Sequence, residues 1–168
     1  MEKENVGEYF IPKEALEKLK DPEVIRRQVK EGKTFQEIIG YKQDSMEKFY
    51  NTAHQLFQKQ EYQKAADAFV FLTTLNPYVH NYWLGLGMSE QLTENYQGAL
   101  LAYAMAILTD VENPITHYQS GNCYRALNEE TNAIQSYDMA IRCAADSPEH
   151  ENIKERASKA KEELEKGS

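Results

Sequence analysis

Between residues 46 and 147 the apolar positions fall into runs of helical spacing, and short polar stretches interrupt them at Lys59-Gln60-Glu61, Thr93-Glu94-Asn95 and Asn128-Glu129-Glu130. Those interruptions lie 34 or 35 residues apart. Set against itself at an offset of 34, the whole region aligns without a gap. Ala65, Ala99 and Ala133 share a column, as do Ala53, Gly87 and Gly121, and also Leu72, Ala106 and Ala140. Other columns are aromatic: Phe69, Tyr103 and Tyr137 form one, while Phe49, Trp83 and His117 form another. Small residues return where backbones must approach, and rings return where a wedge must fill the space between them. The pattern predicts three consecutive helix pairs.

A helix–turn–helix period of 34 residues is that of the tetratricopeptide repeat, and the order aromatic, Leu-Gly, Ala, Phe/Tyr, Ala, Pro agrees with it. The repeats are expected at 46–79, 80–113 and 114–147. Pro77 closes the first, whereas Val111 and Ala145 hold that place later and the prolines follow as Pro114 and Pro148. Glu90 stands where the second repeat would carry an aromatic, and His117 where the third would carry tryptophan. The expected fold is all-α: three repeats, preceded by a helical arm over 1–45 and followed by a capping helix over 148–168.

Boundary residues refine this layout. Asp44 with Glu47 reads as a capping box opening the first long helix, and Thr34 with Glu37 as another ahead of Ile38-Ile39-Gly40. Asn113-Pro114 and Ser147-Pro148 each place a capping side chain before a proline at the first helical position. In the arm, Pro12 to Lys20 carries Ala15, Leu16 and Leu19, and Asp21-Pro22 opens Val24 to Glu31, which Gly32 closes. Helices this short are not stable alone. They must dock on the repeats or on a second copy of the chain. At the other end Ile153, Ala157, Ala160 and Leu164 make one thin apolar stripe, suited to covering the end of a repeat stack, and a frayed Gly-Ser is expected after it.

The run NYWLGLGMSEQ, Asn81 to Gln91, invites a phosphate-loop reading through Gly85 and Gly87. Such a loop needs a strand before it and a helix beginning at it. Here Gly87 falls in the small-residue column, so the glycines are expected to be a packing crease. Charge narrows the partners. The chain is 168 residues long with a net charge of −8, and residues 41–146 carry twelve acids against six bases. No Lys or Arg lies between Lys64 and Arg125. Nucleic acid needs clustered cations to displace its counterions, so it is not an expected ligand. No apolar run approaches the ~20 residues of a membrane span, and the charged start MEKENVGEYF lacks the apolar core of a signal peptide. The chain is therefore expected to stay where it is made, with Cys123 and Cys143 as reduced thiols within helices. His54, His80, His117 and His150 have no ligand spacing and the serines no nucleophile elbow, so neither catalysis nor a metal or cofactor is expected.

The repeat geometry offers a concave wall instead, built from the first helix of each pair at repeat positions 2, 5, 9 and 12, which share one helix face. Those positions hold Glu47, Tyr50, His54 and Phe57, then Asn81, Leu84, Met88 and Gln91, then Ile115, Tyr118, Asn122 and Arg125. Half of the twelve are apolar or aromatic, a composition that marks a partner surface more than a solvated one. Tyr, Met and Phe suit an extended peptide, and Asn81, Gln91 and Asn122 could hold its backbone. With Arg125 as the wall's one cation, gripping a chain terminus is not expected. Alternatively the arm or the C-terminal helix fills the groove.

The run from Phe49 to Pro114 resembles the class II chaperones of bacterial type III secretion, in which a short helical region precedes three tetratricopeptide repeats and a final helix. An aromatic-aromatic-Leu-Gly-Leu-Gly run opens the second repeat of that family, as Tyr82-Trp83-Leu84-Gly85-Leu86-Gly87 does here, and Pro114 follows as the family's proline does. The similarity spans about residues 34–147. It implies a protein of the bacterial cytoplasm that binds hydrophobic translocators before secretion, holding an extended segment in the groove and keeping it apart from its partner translocator. It also implies contact with a secretion gatekeeper in some members, and homodimers through the N-terminal helices in many. By position, Tyr50, His54 and Phe57 match the family's first wall and Leu84, Met88 and Gln91 its middle wall, while Ile115, Tyr118 and Asn122 are less alike. The alternative is a general tetratricopeptide scaffold joining folded cytosolic proteins.

Overall fold

Left-handed backbone at a non-glycine residue is uncommon, and here it occurs at Gln60, Glu94 and Asn128, with φ of 63°, 63° and 59°. These three positions are spaced by the repeat period, and each makes the tight turn inside one helix pair. The computed structural model describes residues 5–6, 9–10, 13–145 and 147–167, with side chains described from 13 to 145 and from 147 to 166. In the arm, the short strands β1 (Asn5–Val6) and β2 (Tyr9–Phe10) pair antiparallel, Asn5 opposite Phe10 and Val6 opposite Tyr9. Helices α1 (Lys13–Leu19), α2 (Pro22–Lys30) and α3 (Phe35–Ile39) follow. The repeats are α4 (Gln43–Gln58) with α5 (Tyr62–Leu75), α6 (His80–Leu92) with α7 (Tyr96–Thr109), and α8 (Pro114–Ala126) with α9 (Glu130–Ala144). A 3₁₀ turn at Pro148–His150 leads into α10 (Glu151–Gly167). Pro12, the expected start of the first arm helix, and the final Ser168 lie outside the described residues.

Three of the expected caps form. Thr34 and Glu37 make a reciprocal capping box on α3, Asp21 accepts from the Glu23 and Val24 amides on α2, and Asn113 accepts from the Ile115 amide on α8. Two differ. The helix expected to open with Asp44 starts at Gln43, with Lys42 as an N-cap that makes no side-chain bond. Tyr41 and Met46 flank that start, both buried in one cluster, at the positions of a hydrophobic staple. Apolar packing thus sets the entry, and Asp44 is left in the first turn, where its charge suits the helix dipole. Ser147 likewise makes no capping bond, because the chain takes a 3₁₀ turn before α10 begins.

The columns of small and aromatic residues meet in the core. Tyr103 and Tyr137 are fully buried, and a methyl added at Gly87 or Gly121 would collide with their rings. The glycines are therefore a crease between helices, and no strand leads into them. Each enclosed ring removes roughly 150–250 Å² from water, on the order of 4–6 kcal/mol before ordering is set against it. His117, where tryptophan was expected, does the work of one. Trp83 Nε1 donates to the Pro77 carbonyl at 2.7 Å, and His117 Nε2 to the Val111 carbonyl at 2.8 Å. Both bonds span six residues, and both tie the first helix of a repeat to the loop before it.

The arm docks on its own repeats. Ile38 of α3 is fully buried, α3 packs against α5, and Asn76 Nδ2 donates to Gln36 Oε1 at 2.9 Å. At the far end α10 packs on α9 and reaches α8, burying Ala157 and Ala160 against Tyr118, Tyr137 and Ala140. Ile153 and Leu164 flank that cluster, which is the apolar stripe expected of a cap. Cys123 is buried and Cys143 partly so, and both are free thiols.

Candidate functional site

The inner wall is built from α4, α6 and α8, and the first two bring their expected residues together except for Gln91. Tyr50, His54 and Phe57 from α4 and Asn81, Leu84 and Met88 from α6 line one pocket of about 150 Å³. Phe69 of α5 and Gly85 complete it. Helical spacing of three and four residues puts each trio on one face, and the 34-residue period sets the two faces side by side. Ring contacts hold the shape. Tyr50 lies edge-on to Phe69 with centroids 6.1 Å apart and stacks beside His54 at 6.2 Å, while Phe57 is fixed edge-on to Tyr62 at 5.4 Å. Leu84 and Met88 are half-buried against Ala99, Tyr103 and Cys123.

A second pocket of about 350 Å³ adjoins the first, lined by Gln43, Glu47, Tyr50, Asn51, Val79, Asn81 and Tyr82. Tyr50 and Asn81 belong to both, so they form the saddle between two depressions of one trough. Tyr50 keeps its place through Tyr82, whose ring lies 5.8 Å away. The trough joins apolar floors to a rim of amides and one carboxylate, Glu47, with no cation in its lining.

The third-repeat positions are differently placed. Tyr118 is buried, with the Arg156 guanidinium of α10 4.8 Å above its ring and Tyr137 5.9 Å away. Arg125 pairs with Glu163 of α10 at 3.1 Å. Asn122 Oδ1 accepts from the Tyr137 hydroxyl at 2.9 Å, and its amide donates to Gln119 Oε1 at 3.1 Å. Gln91 accepts from the Tyr103 hydroxyl at 2.7 Å and donates to the same Gln119 oxygen at 3.3 Å. Ile115 stays half-buried. The C-terminal helix therefore engages Tyr118 and Arg125 of the third wall, while Gln91 and Asn122, two of the three amides expected to hold a peptide backbone, each make two hydrogen bonds within the fold. Arg125, engaged by Glu163, is not a free cation for a chain terminus.

Sequence reasoning missed Phe69 and Gly85 as pocket residues. Phe69 lies on the second helix of its repeat, outside the inner-wall positions, and its ring enters because Gly85 has no Cβ to stop it. Burial pushes the Cys123 thiol up to about 12, and burial likewise raises the Tyr137 hydroxyl to about 12 despite the opposing Arg125 charge. Neither group ionises near neutrality. Among the described residues no cluster of three or more His, Cys, Asp or Glu is placed to hold a metal, and no described helix is long and apolar enough to cross a membrane.

A tetratricopeptide-repeat family model matches residues 46–78, which is the first repeat. Low calcium response locus protein H of Yersinia pseudotuberculosis is 27% identical over 130 residues, covering 77% of each chain. Among solved structures, PcrH in complex with the chaperone binding region of PopD superimposes with a TM-score of 0.73 at 28% identity, over 74% of this chain and 94% of that one. The Yersinia enterocolitica type III secretion chaperone SycD, bound to a peptide of the translocator YopD, gives 0.72 at 25% identity, over 74% and 95%. The chain is thus similar in sequence and in fold to the tetratricopeptide chaperones of type III secretion. The hollows between α4 and α6 stay open in this chain, while α10 packs on Tyr118 and Arg125 of the third repeat.

Proposed function

We propose that this chaperone holds an extended, apolar segment of a hydrophobic translocator in the trough between α4 and α6, keeping that protein soluble and apart from its partner before export. The observation that carries the reading is the convergence of Tyr50, Phe57, Leu84 and Met88 on Phe69 in a pocket sized for a single side chain, with a second depression beside it. The complexes of PcrH with the chaperone binding region of PopD, and of SycD with a peptide of YopD, support it. Apolar client side chains enter the two depressions, and Asn81, exposed on the saddle, is placed to bond the client backbone. No bond of the client is made or broken, and the place of action is the bacterial cytoplasm.

In this reading residues 46–147 are the binding unit and 148–168 the cap. The arm, 1–45, adds a surface for self-association, since Val29, Phe35 and Tyr78 are exposed around an apolar hollow between arm and repeats. The test is co-expression with the translocators of the source bacterium, comparing the wild type with Tyr50→Glu/Leu84→Glu. The wild type is expected to co-purify a translocator and keep it soluble, and the double variant to lose it while its helical circular dichroism stays native. Equal retention by both proteins would remove the trough as the site. Retention of a folded, soluble partner alone would favour a scaffold.

A further inference from the structure

The three outer helices serve as controls for one another, because each occupies the same place in its repeat. Helix α5 carries Lys64 and Asp67, and α9 carries Glu130, Asp138 and Arg142, whereas α7 has no charged residue from Tyr96 to Thr109. Two positions make the contrast sharp. Where the first repeat has Asp67 and the third Gln135, the second has Leu101, which is 72% exposed. Where they have Thr74 and Arg142, it has Leu108, which is 78% exposed. Met105 lies between these leucines, and Val111 continues past the helix end at 60% exposure. Residues 101, 105 and 108 follow the i, i+4, i+7 rule, so the stripe runs straight along about 10 Å of helix.

Helix α7 packs on α6 and α8, and neither the arm nor α10 is among its main neighbours. A helix apolar all round is normally enclosed. What would enclose this one is indicated by charge. The second repeat, 80–113, contains the acids Glu90, Glu94, Asp110 and Glu112 and no Lys or Arg. Asp67 holds the place of Leu101 on α5, and Arg142, the cation at the place of Leu108 on α9, lies with Glu112 at the rim of one hollow. A second copy would set one cation-free acidic repeat against another.

We propose that the outward face of α7 is a second docking surface, distinct from the concave trough, for an amphipathic helix of another protein whose apolar stripe is flanked by lysine or arginine. Leucines spaced along one helix face mate with a like stripe on a partner helix. The acidic charge of the second repeat then selects the charge of that partner and steers its approach.

The test uses three synthetic helix-forming peptides: one with leucines at i, i+4 and i+7 flanked by lysines, the same with glutamates for lysines, and a scrambled form of the first. Fluorescence anisotropy is read against the wild type, against Leu101→Asp/Leu108→Thr, and against Tyr50→Glu/Leu84→Glu. The first variant borrows the residues that the first repeat already carries at those places, so its fold is expected to persist. The lysine-flanked peptide is expected to bind the wild type and the trough variant alike, and to bind Leu101→Asp/Leu108→Thr at least tenfold more weakly. It should also bind at least tenfold more tightly than its glutamate sibling, and more weakly as salt rises. The wild-type comparison of the two charged peptides stands even if a variant fails to fold. Absence of binding, equal binding of the glutamate or scrambled peptide, or loss of binding only in the trough variant would overturn the proposal. Sedimentation showing a wild-type dimer that Leu101→Asp/Leu108→Thr abolishes would overturn it in favour of a second copy.

Discussion

Replacing Gly85 with alanine tests how the pocket floor is made. In a helix interior the change ordinarily stabilises by about 1 kcal/mol, because glycine is the more flexible residue. Here the added methyl would lie less than 3.0 Å from Cζ, Cε1 and Cε2 of Phe69. Ordinary carbon contacts are about 3.5–4.0 Å, so the ring must withdraw by roughly 1 Å. Phe69 is 2% exposed and packed among Ala65, Ala66 and Leu72, which leaves it little room to retreat. Overpacking of this kind costs about 1–3 kcal/mol. Gly85→Ala is therefore expected to be neutral to about 2 kcal/mol destabilising. Phe69→Leu removes the same three ring carbons, and in its background Gly85→Ala should recover the helix-propensity gain. The double-mutant cycle, read by urea denaturation, should then show a coupling of about 1–3 kcal/mol in favour of the pair. Additivity within about 0.5 kcal/mol, or a full gain from Gly85→Ala alone, would refute the wedge.

Two further outcomes can be checked directly. His117→Phe keeps the ring but loses the donor to the Val111 carbonyl, and should cost about 1–2 kcal/mol, seen as a Tm lower by about 2–8 °C; an unchanged Tm would mean that the imidazole does not stand in for tryptophan. Glu37 is held below the usual carboxylate range by hydrogen bonds from the Thr34 backbone and side chain, with Lys33 adding to the effect. Its contribution is thus complete above the unfolded value of about 4.3 and is lost as pH falls through the lower folded value. Hydrogen exchange in α3 should accordingly be faster in Glu37→Gln than in the wild type at pH 7, with the difference closing in acid. A difference that persisted in acid would remove the capping box as its source.

Much of this fold is legible because it repeats. Ala65, Ala99 and Ala133, the ring columns and the three interrupting stretches report local geometry three times over, and the turns fall at Gln60, Glu94 and Asn128 within those stretches. Tyr50, Phe57, Leu84 and Met88 are readable for the same reason, since helical spacing puts each pair on one face and the repeat sets the two faces side by side. What escaped has no period. The cover on the third wall rests on Arg156 over Tyr118 and on Glu163 with Arg125, pairs 38 residues apart in a tail outside the repeats. Asp44 and Ser147 look like caps by residue type, but Tyr41 and Met46 in one case and a 3₁₀ turn in the other decide where the helix begins. The pairing of Asn5–Val6 with Tyr9–Phe10 is too short to leave a mark in the hydrophobic pattern.

The closing of the third wall by α10 has a consequence for timing. A cargo segment that can engage only the two depressions around Tyr50 and Asn81 has two buried anchors to hold it. Two such side chains contribute about 3–6 kcal/mol, and the ordering of the segment works against them. The hold is then tens of micromolar or weaker, about −6 kcal/mol at most. With association near ~10⁶ M⁻¹s⁻¹, such a complex lets go on the order of once a second or faster. A grip limited to those two depressions is a clasp that opens by itself.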